Sequence, residues 1–371
     1  MILLYTSELA SFHLYIWMTD KTARSYILVT MVGDTFKVFL VTKTDDNQFT
    51  QTVTEQALER LSPGDVLIRV HYSSLNYKDA LSATGNTGVT KKFPHVPGID
   101  AAGMVVSSTT PQLQKDDPVI VTGFDLGMNT WGGFAEYIRV PANWVMPLPP
   151  GLTLKESMVL GTAGFTAALC VNALEQNNIS PAAGEILVTG ATGGVGTIAV
   201  SILAKLGYAV VAATGKSAHH DFLKSLGALS VLSREEVADH TGKPLLKERW
   251  AGVVDTVGGN ILATAIKATK YDGCITACGL VGGAELPTTV YPFILRGVRL
   301  IGIDSAQSPL QKRLNLWGRL ASDWKPNQLT QLASTINLMQ LPEQIDRMLR
   351  GQSIGRVLVV LPETSSSEKR S

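Results

Sequence analysis

The chain is short of everything that marks a disulfide scaffold, a metal clamp or a membrane span. Its 371 residues hold three cysteines, Cys170, Cys274 and Cys278. That is too few for a disulfide framework, and no Cys-x-x-Cys pair is present to grip a metal. Cys274 and Cys278 lie four apart in an apolar run and read as core, because an unpaired cysteine packs as a small apolar side chain. A reducing, cytoplasmic setting is the expectation. Surplus charge is lacking as well: 32 Lys and Arg against 31 Asp and Glu leave a net +1. Neither nucleic acid nor a membrane surface is therefore an expected partner. No run of about 18 unbroken apolar residues suggests a membrane helix. What remains, 45% hydrophobic and 17% charged residues, is the make-up of an ordinary globular protein long enough for two domains.

Residues Met1 to Thr30 are apolar and aromatic but interrupted by Glu8, His13, Asp20, Lys21 and Arg24. Charge, apolar core and cleavage site do not follow the order of a secretory signal. Met31 directly precedes the first convincing strand, Phe36 to Val41, so the start is expected at Met31 and residues 1–30 are set aside as an extension. The polar end, Glu363 to Ser371, is expected to be a disordered tail.

From about residue 35 to 150 the pattern is one of short strands and turns. Asp65 to Tyr72 alternates imperfectly between apolar and polar, as a part-buried strand does. Ala101 to Val106, Pro118 to Thr122 and Phe134 to Val140 are further strands, punctuated by Pro97-Gly98 and Pro149-Pro150-Gly151. Near residue 155 the grammar changes. A buried helix over Glu156 to Leu174 precedes alternating strands (Glu185 to Thr189, Ala209 to Thr214, Leu229 to Leu232, Gly252 to Val257, Cys274 to Cys278, Arg299 to Ile303) and helices (Gly194 to Leu206, Ala218 to Leu226, Ile261 to Lys270). Alternation with fully apolar strands predicts an α/β fold with a doubly wound parallel sheet. Two helical segments follow, around Leu314 and Ile345. A last strand, Gly355 to Val360, is expected to return to the β-rich half, which makes the second domain an insertion in the first.

The most informative stretch is Gly190-Ala191-Thr192-Gly193-Gly194-Val195-Gly196. It follows an apolar strand and opens an amphipathic helix. Glycines there let the backbone approach a pyrophosphate, whose charge the helix N-terminus then holds. An NAD site places an acid about 20 residues after the glycines, on the ribose 2′-hydroxyl. Here the next strand ends in Thr214-Gly215-Lys216-Ser217, which repels nothing and suits a 2′-phosphate. NADPH is the predicted cofactor. Arg234 is a second phosphate candidate, or an ordinary surface arginine. His219 and His220 begin a helix and read as exposed.

Taken with a β-rich first half, several further stretches carry a resemblance. They are Ser73-Ser74-Leu75-Asn76-Tyr77-Lys78-Asp79-Ala80-Leu81, Pro97-Gly98-Ile99-Asp100, Asn129-Thr130-Trp131-Gly132-Gly133-Phe134-Ala135-Glu136, Gly161-Thr162-Ala163-Gly164-Phe165-Thr166-Ala167, Asp255-Thr256-Val257-Gly258 and Pro292-Phe293-Ile294-Leu295-Arg296. From about Thr35 to Leu361 the chain resembles the medium-chain dehydrogenase/reductase superfamily, in its quinone-oxidoreductase-like branch, and within that the acryloyl-CoA reductase family. The resemblance implies a GroES-like catalytic domain over 31–155 and 306–362, with a Rossmann domain over 156–305 inserted in it. It also implies a homodimer through the edge of the nucleotide-binding sheet. The zinc-dependent members place a cysteine ligand where Asn76-Tyr77 stands, a Gly-His-Glu where Pro97-Gly98-Ile99 runs, and a four-cysteine loop. None of these is present, so zinc is not expected. Alcohol oxidation then lacks its Lewis acid, whereas reduction of a polarised C=C needs only hydride and hydrogen bonds to a developing enolate.

By the same resemblance Tyr77 lines the nicotinamide end of NADPH and Thr192, Gly193, Gly194 and Val195 cradle its pyrophosphate. Thr214, Gly215, Lys216 and Arg234 hold the adenosine phosphate, while Leu280, Ile294 and Ser305 complete the pocket. The expected reaction is hydride transfer to the β-carbon of an acryloyl-type thioester. Asn76 and Tyr77 are expected to donate hydrogen bonds or relay the α-carbon proton. Asp79 either orients them or is a helix N-terminal acid favoured by the dipole. Trp131 with Gly132-Gly133 forms an apolar substrate wall or a simple core turn. Two alternatives stand beside this reading. One is a broader NADPH:quinone or enone reductase; the other is a non-catalytic NADPH-binding redox sensor.

Overall fold

The computed structural model describes residues 35–362. The expected start at Met31, the extension over residues 1–30 and the tail over 363–371 lie outside the described residues. The chain opens with a hairpin, β1 (Thr35–Lys43) and β2 (Phe49–Ala57), paired from Thr35↔Ala57 to Lys43↔Phe49. The second strand of that hairpin has no apolar face to betray it in the sequence. β3 (Val66–Leu75), the short helix α1 (Tyr77–Ala83), β4 (Asp100–Ser108), β5 (Pro118–Thr122), β6 (Tyr137–Val140) and β7 (Met146–Pro147) follow. The expected strand from Phe134 begins later, at Tyr137, because Phe134 O and Glu136 N are bonded instead to Phe39 N and Lys37 O of β1.

A 23-residue helix, α2 (Leu154–Gln176), leads into the second half. It is long and apolar enough to cross a bilayer, yet 89% of its apolar window is buried inside the protein. That is the reading for a core helix, which is apolar all round. β8 (Ile186–Val188), α3 (Gly194–Lys205), β9 (Val210–Ala213), α4 (His220–Ser225), β10 (Ser230–Leu232), β11 (Trp250–Asp255), α5 (Gly259–Ala268), β12 (Thr269–Ala277), α6 (Tyr291–Arg296) and β13 (Arg299–Gly302) come next. Their strands form one six-stranded sheet, every pair parallel, in the order β10-β9-β8-β11-β12-β13. Counted from β8 that order is 3-2-1-4-5-6, the doubly wound dinucleotide-binding arrangement, and its strand order reverses between β8 and β11.

α7 (Leu310–Leu320), β14 (Ala333–Ile336), α8 (Leu341–Leu349) and β15 (Arg356–Val360) complete the described chain. β15 does return to the β-rich sheet: it runs antiparallel to β3, with Val357 opposite Leu75 and Leu358 opposite Ser74. That pairing brings a residue from the end of the chain to the C-terminal end of β3, where the site lies.

α2 passes between the two sheets and is not one continuous helix. It breaks at Gly161, whose φ of 50° and ψ of −154° no L side chain adopts at low cost. A Cβ there would also lie 2.5 Å from Asp100 Oδ2 and 2.6 Å from Ser74 Oγ. The break turns the N–H of Thr162 onto a buried carboxylate.

Candidate active site

The floor of the site is a buried polar cluster at the point where β3 ends, α1 begins and β15 enters. Asp100 is 0% exposed and accepts from Ser74 Oγ (2.6 Å), Asn76 Nδ2 (2.8 Å), Thr162 N (2.9 Å) and Thr162 Oγ1 (2.6 Å). Arg356, 2% exposed, lies with Nη2 3.8 Å from Asp100 Oδ2. It donates to Val159 O, Leu75 O, Asn76 Oδ1 and Ser74 Oγ at 3.0, 3.3, 3.1 and 2.8 Å. A buried ion pair survives only when the remaining donors and acceptors are satisfied in this way. Sequence reasoning quoted Asp100 without giving it a role and passed over Arg356. The available signal was a charged residue opening an otherwise apolar strand.

Asn76 and Asp79 close a capping box at the start of α1. Asp79 Oδ2 accepts from Asn76 N at 2.8 Å, and Oδ1 accepts from Gly98 N and Ile99 N at 3.1 and 2.8 Å. Burial, with Asp100 nearby as a second cause, pushes the Asp79 carboxyl up to about 7. The expectation that Asn76 donates to substrate is corrected by this geometry. Its amide hydrogens face Ser74 O, Asp79 and Asp100, and its oxygen faces Arg356. Asn76 has no N–H left over, and Asp79 is wholly buried. Of the three residues only Tyr77 reaches out, 40% exposed at the first turn of α1.

The second layer is the glycine-rich loop after β8, with the residues that follow β9. A Cβ on Gly196 would sit 2.5 Å from Gly190 O, so only glycine lets this turn close against itself. The first N–H groups of α3 have no acceptor within the helix, the feature that suits a helix N-terminus to a pyrophosphate. Thr192 and Thr214 meet hydroxyl to hydroxyl at 3.1 Å. Lys216 N donates to Thr214 Oγ1, and the Arg234 guanidinium lies beside Gly215, 3.1 Å from where its Cβ would be. Thr192, Gly193, Gly194, Val195, Thr214, Gly215, Lys216 and Arg234 are thus gathered round one helix N-terminus. Burial lowers the Lys216 ammonium below the ordinary lysine value.

A cleft of 520 Å³, lined by Ala277, Cys278, Gly279, Leu280, Gly302, Ile303 and Asp304, runs along the ends of β12 and β13. Leu280 lines it, and Ser305 follows directly on Asp304. Arg313 fixes that crossover by donating to Ser305 O, Ala306 O and Thr122 O. Ile294 is not brought in: α6 turns Phe293 toward the core and leaves Ile294 68% exposed outside the cleft. Cys274 is buried, and Cys278 is half-buried against the core while also lining the cleft, as the core reading of both expects. The neighbouring Cys170 thiol and burial push the Cys278 thiol up, and burial takes Cys274 to about 11. Trp131 is buried, its ring 5.9 Å from the Arg60 guanidinium, which favours the core-turn reading. Among the described residues no three His, Cys, Asp or Glu side chains gather as a metal site.

The sequence matches two family descriptions, alcohol dehydrogenase GroES-like domain over residues 62–150 and zinc-binding dehydrogenase over 194–317. It is 44% identical over 325 residues to acrylyl-CoA reductase AcuI of Ruegeria pomeroyi, covering 87% of this chain and 98% of that one. It is 50% identical over 304 residues to "Putative quinone oxidoreductase YhfP" of Bacillus subtilis, covering 82% and 92%. A crystal structure of yhdH oxidoreductase from Salmonella enterica in complex with NADP superposes with a TM-score of 0.85 at 46% identity, over 88% of this chain and 100% of the other. Bacillus subtilis yhfP with NAD bound superposes with a TM-score of 0.86 at 48% identity, over 88% and 99%. The GroES-like part, the doubly wound sheet and these relatives agree: this chain belongs to the medium-chain dehydrogenase/reductase superfamily of oxidoreductases, in the branch that holds acrylyl-CoA reductase AcuI and YhfP.

Proposed function

We propose that this protein reduces the C=C bond of acryloyl-CoA, or a similarly short activated enoyl thioester, to the saturated thioester, using NADPH and no zinc. The observation that carries the reading is the 44% identity with acrylyl-CoA reductase AcuI across 98% of that protein's length. NADPH is supported by the NADP-bound neighbour and by Lys216 and Arg234 where an acid would select NAD. The nucleotide-binding part is taken as 156–305 and the catalytic part as 31–155 with 306–362.

When bound, the cofactor supplies hydride to the β-carbon of the substrate. The protein's share is positioning and charge. The N–H groups at the start of α3 hold the pyrophosphate, and Thr214, Lys216 and Arg234 hold the 2′-phosphate. Tyr77, exposed at the first turn of α1, would donate its hydroxyl hydrogen to the thioester oxygen as negative charge builds there. Asn76, Asp79, Asp100 and Arg356 act on the reaction only through α1, by fixing its first turn.

A second reading, a broader quinone reductase, is favoured by the likeness to YhfP. NADPH consumption with acryloyl-CoA, crotonoyl-CoA and a simple quinone separates the two. Fast turnover with acryloyl-CoA supports the thioester reading; preference for the quinone overturns it. No turnover with any of them, while NADPH still binds, moves the chain to the redox-sensor reading. We also propose a homodimer through β13, the edge strand of its sheet, flanked by exposed Leu280, Val281, Val290, Tyr291 and Leu295. Light scattering on the purified protein tests it, and a monomer at working concentration contradicts it.

A further inference from the structure

The segment that enters β15 touches both halves of the site. Lys216 Nζ donates to Ser353 O, and Gly355 N donates to Thr192 O at 2.9 Å. The next residue, Arg356, packs under the glycine loop, where a Cβ on Gly194 would meet its Nη1 at 3.0 Å and its Cδ at 3.2 Å. The same guanidinium then holds the end of β3 and the cap of α1 by the bonds to Leu75 O, Asn76 Oδ1 and Ser74 Oγ already described. Three contacts therefore run from residues 353–356 to the cofactor loops, and three from one side chain to the strand and cap that carry Tyr77.

We propose that Arg356 is a positioning residue that couples the seating of the pyrophosphate loop to the first turn of α1. The inference rests on the cofactor site proposed above. Arginine is suited to the task because its planar fork can serve Val159 O, Leu75 O, Asn76 Oδ1 and Ser74 Oγ together. A lysine, with three donors on one nitrogen, cannot span them. Binding at the loop is then felt at Tyr77 without contact, because both biases act on one hydrogen-bonded element.

Hydrogen exchange on the full-length protein, with and without 2′-phospho-ADP-ribose, tests this directly. That probe is the cofactor without its nicotinamide ring, the part that Tyr77 is proposed to line. In the wild type, exchange is expected to slow in residues 190–196 and also, by about fivefold or more, in residues 76–83. In Arg356→Lys only residues 190–196 should slow. A purely structural role for Arg356 would loosen both segments without ligand and leave the ligand effect on 76–83 intact, which overturns the proposal. So does a wild type in which 76–83 does not respond. If even 190–196 fails to respond, the cofactor site itself is wrong and the coupling falls with it. Should Arg356→Lys fail to fold, the pair Arg356→Met with Asp100→Asn removes cation and counter-charge together, and the same readout decides.

Discussion

Arg356 and Asn76 are 280 residues apart in the chain and meet at 3.1 Å, the guanidinium donating to the amide oxygen. The contact exists because β15 folds back along β3 after the whole nucleotide-binding sheet has been built. It fixes which way round the Asn76 amide sits, and so leaves its N–H groups pointing at Asp79 and Asp100 rather than at a substrate.

With Asn76 satisfied, Tyr77 is the residue proposed to donate a hydrogen bond to the substrate. Tyr77→Phe should lower turnover by about a hundredfold, the usual scale of a lost acid or oxyanion donor, while the dissociation constant for NADPH stays within about twofold. Steady-state kinetics with a fluorescence binding titration check both numbers. Unchanged turnover would remove Tyr77 from the chemistry.

The two cations beside Gly215 should decide between cofactors. Lys216→Ala and Arg234→Ala should each weaken NADPH by about tenfold or more, the worth of a charge-assisted hydrogen bond to a phosphate. NADH, which has no 2′-phosphate, should change little. Calorimetric titration with both dinucleotides reads the ratio, and an unaltered ratio in both variants would place the phosphate elsewhere.

The Asp79 carboxyl gives stability a pH signature. Its value is raised from 3.8 to about 7 by burial, so between those limits the folded chain holds a proton that the unfolded chain has released. This group's contribution is full below pH 4, declines as pH rises, and is lost above about 7. Urea midpoints should therefore fall more steeply from pH 5 to 7 in the wild type than in Asp79→Asn. Parallel curves would contradict the assignment.

Gly161→Ala tests the break in α2. It places a Cβ 2.5 Å from Asp100 Oδ2 on a backbone with a φ of 50°, and should cost about 2 kcal/mol or more. A loss in denaturant stability well below that would mean the helix can straighten without disturbing the Asp100 cluster.

Much of this was legible in the sequence. Fully apolar strands alternating with helices announced the parallel sheet, and the glycine string announced the tight turn between β8 and α3. Both are local patterns, carried by neighbouring residues. The floor of the site is different in kind: Asp100, Arg356, Ser74 and Thr162 come from four separate elements and are joined only by folding. In sequence Asn76 is a polar residue next to a tyrosine, and nothing there says that its amide is already spent. The exposure of Ile294 was hidden for a similar reason, since the direction a side chain takes off α6 depends on what it packs against.

The central claim is that hydride goes to the β-carbon of the enoyl thioester, yielding the saturated thioester. Incubating the protein with acryloyl-CoA and NADPH deuterated at its transferable position, then locating the label by mass spectrometry, measures this most directly. The account predicts propanoyl-CoA carrying deuterium at its β-carbon. Quinol formed from a competing quinone, with acryloyl-CoA recovered unchanged and unlabelled, would contradict it.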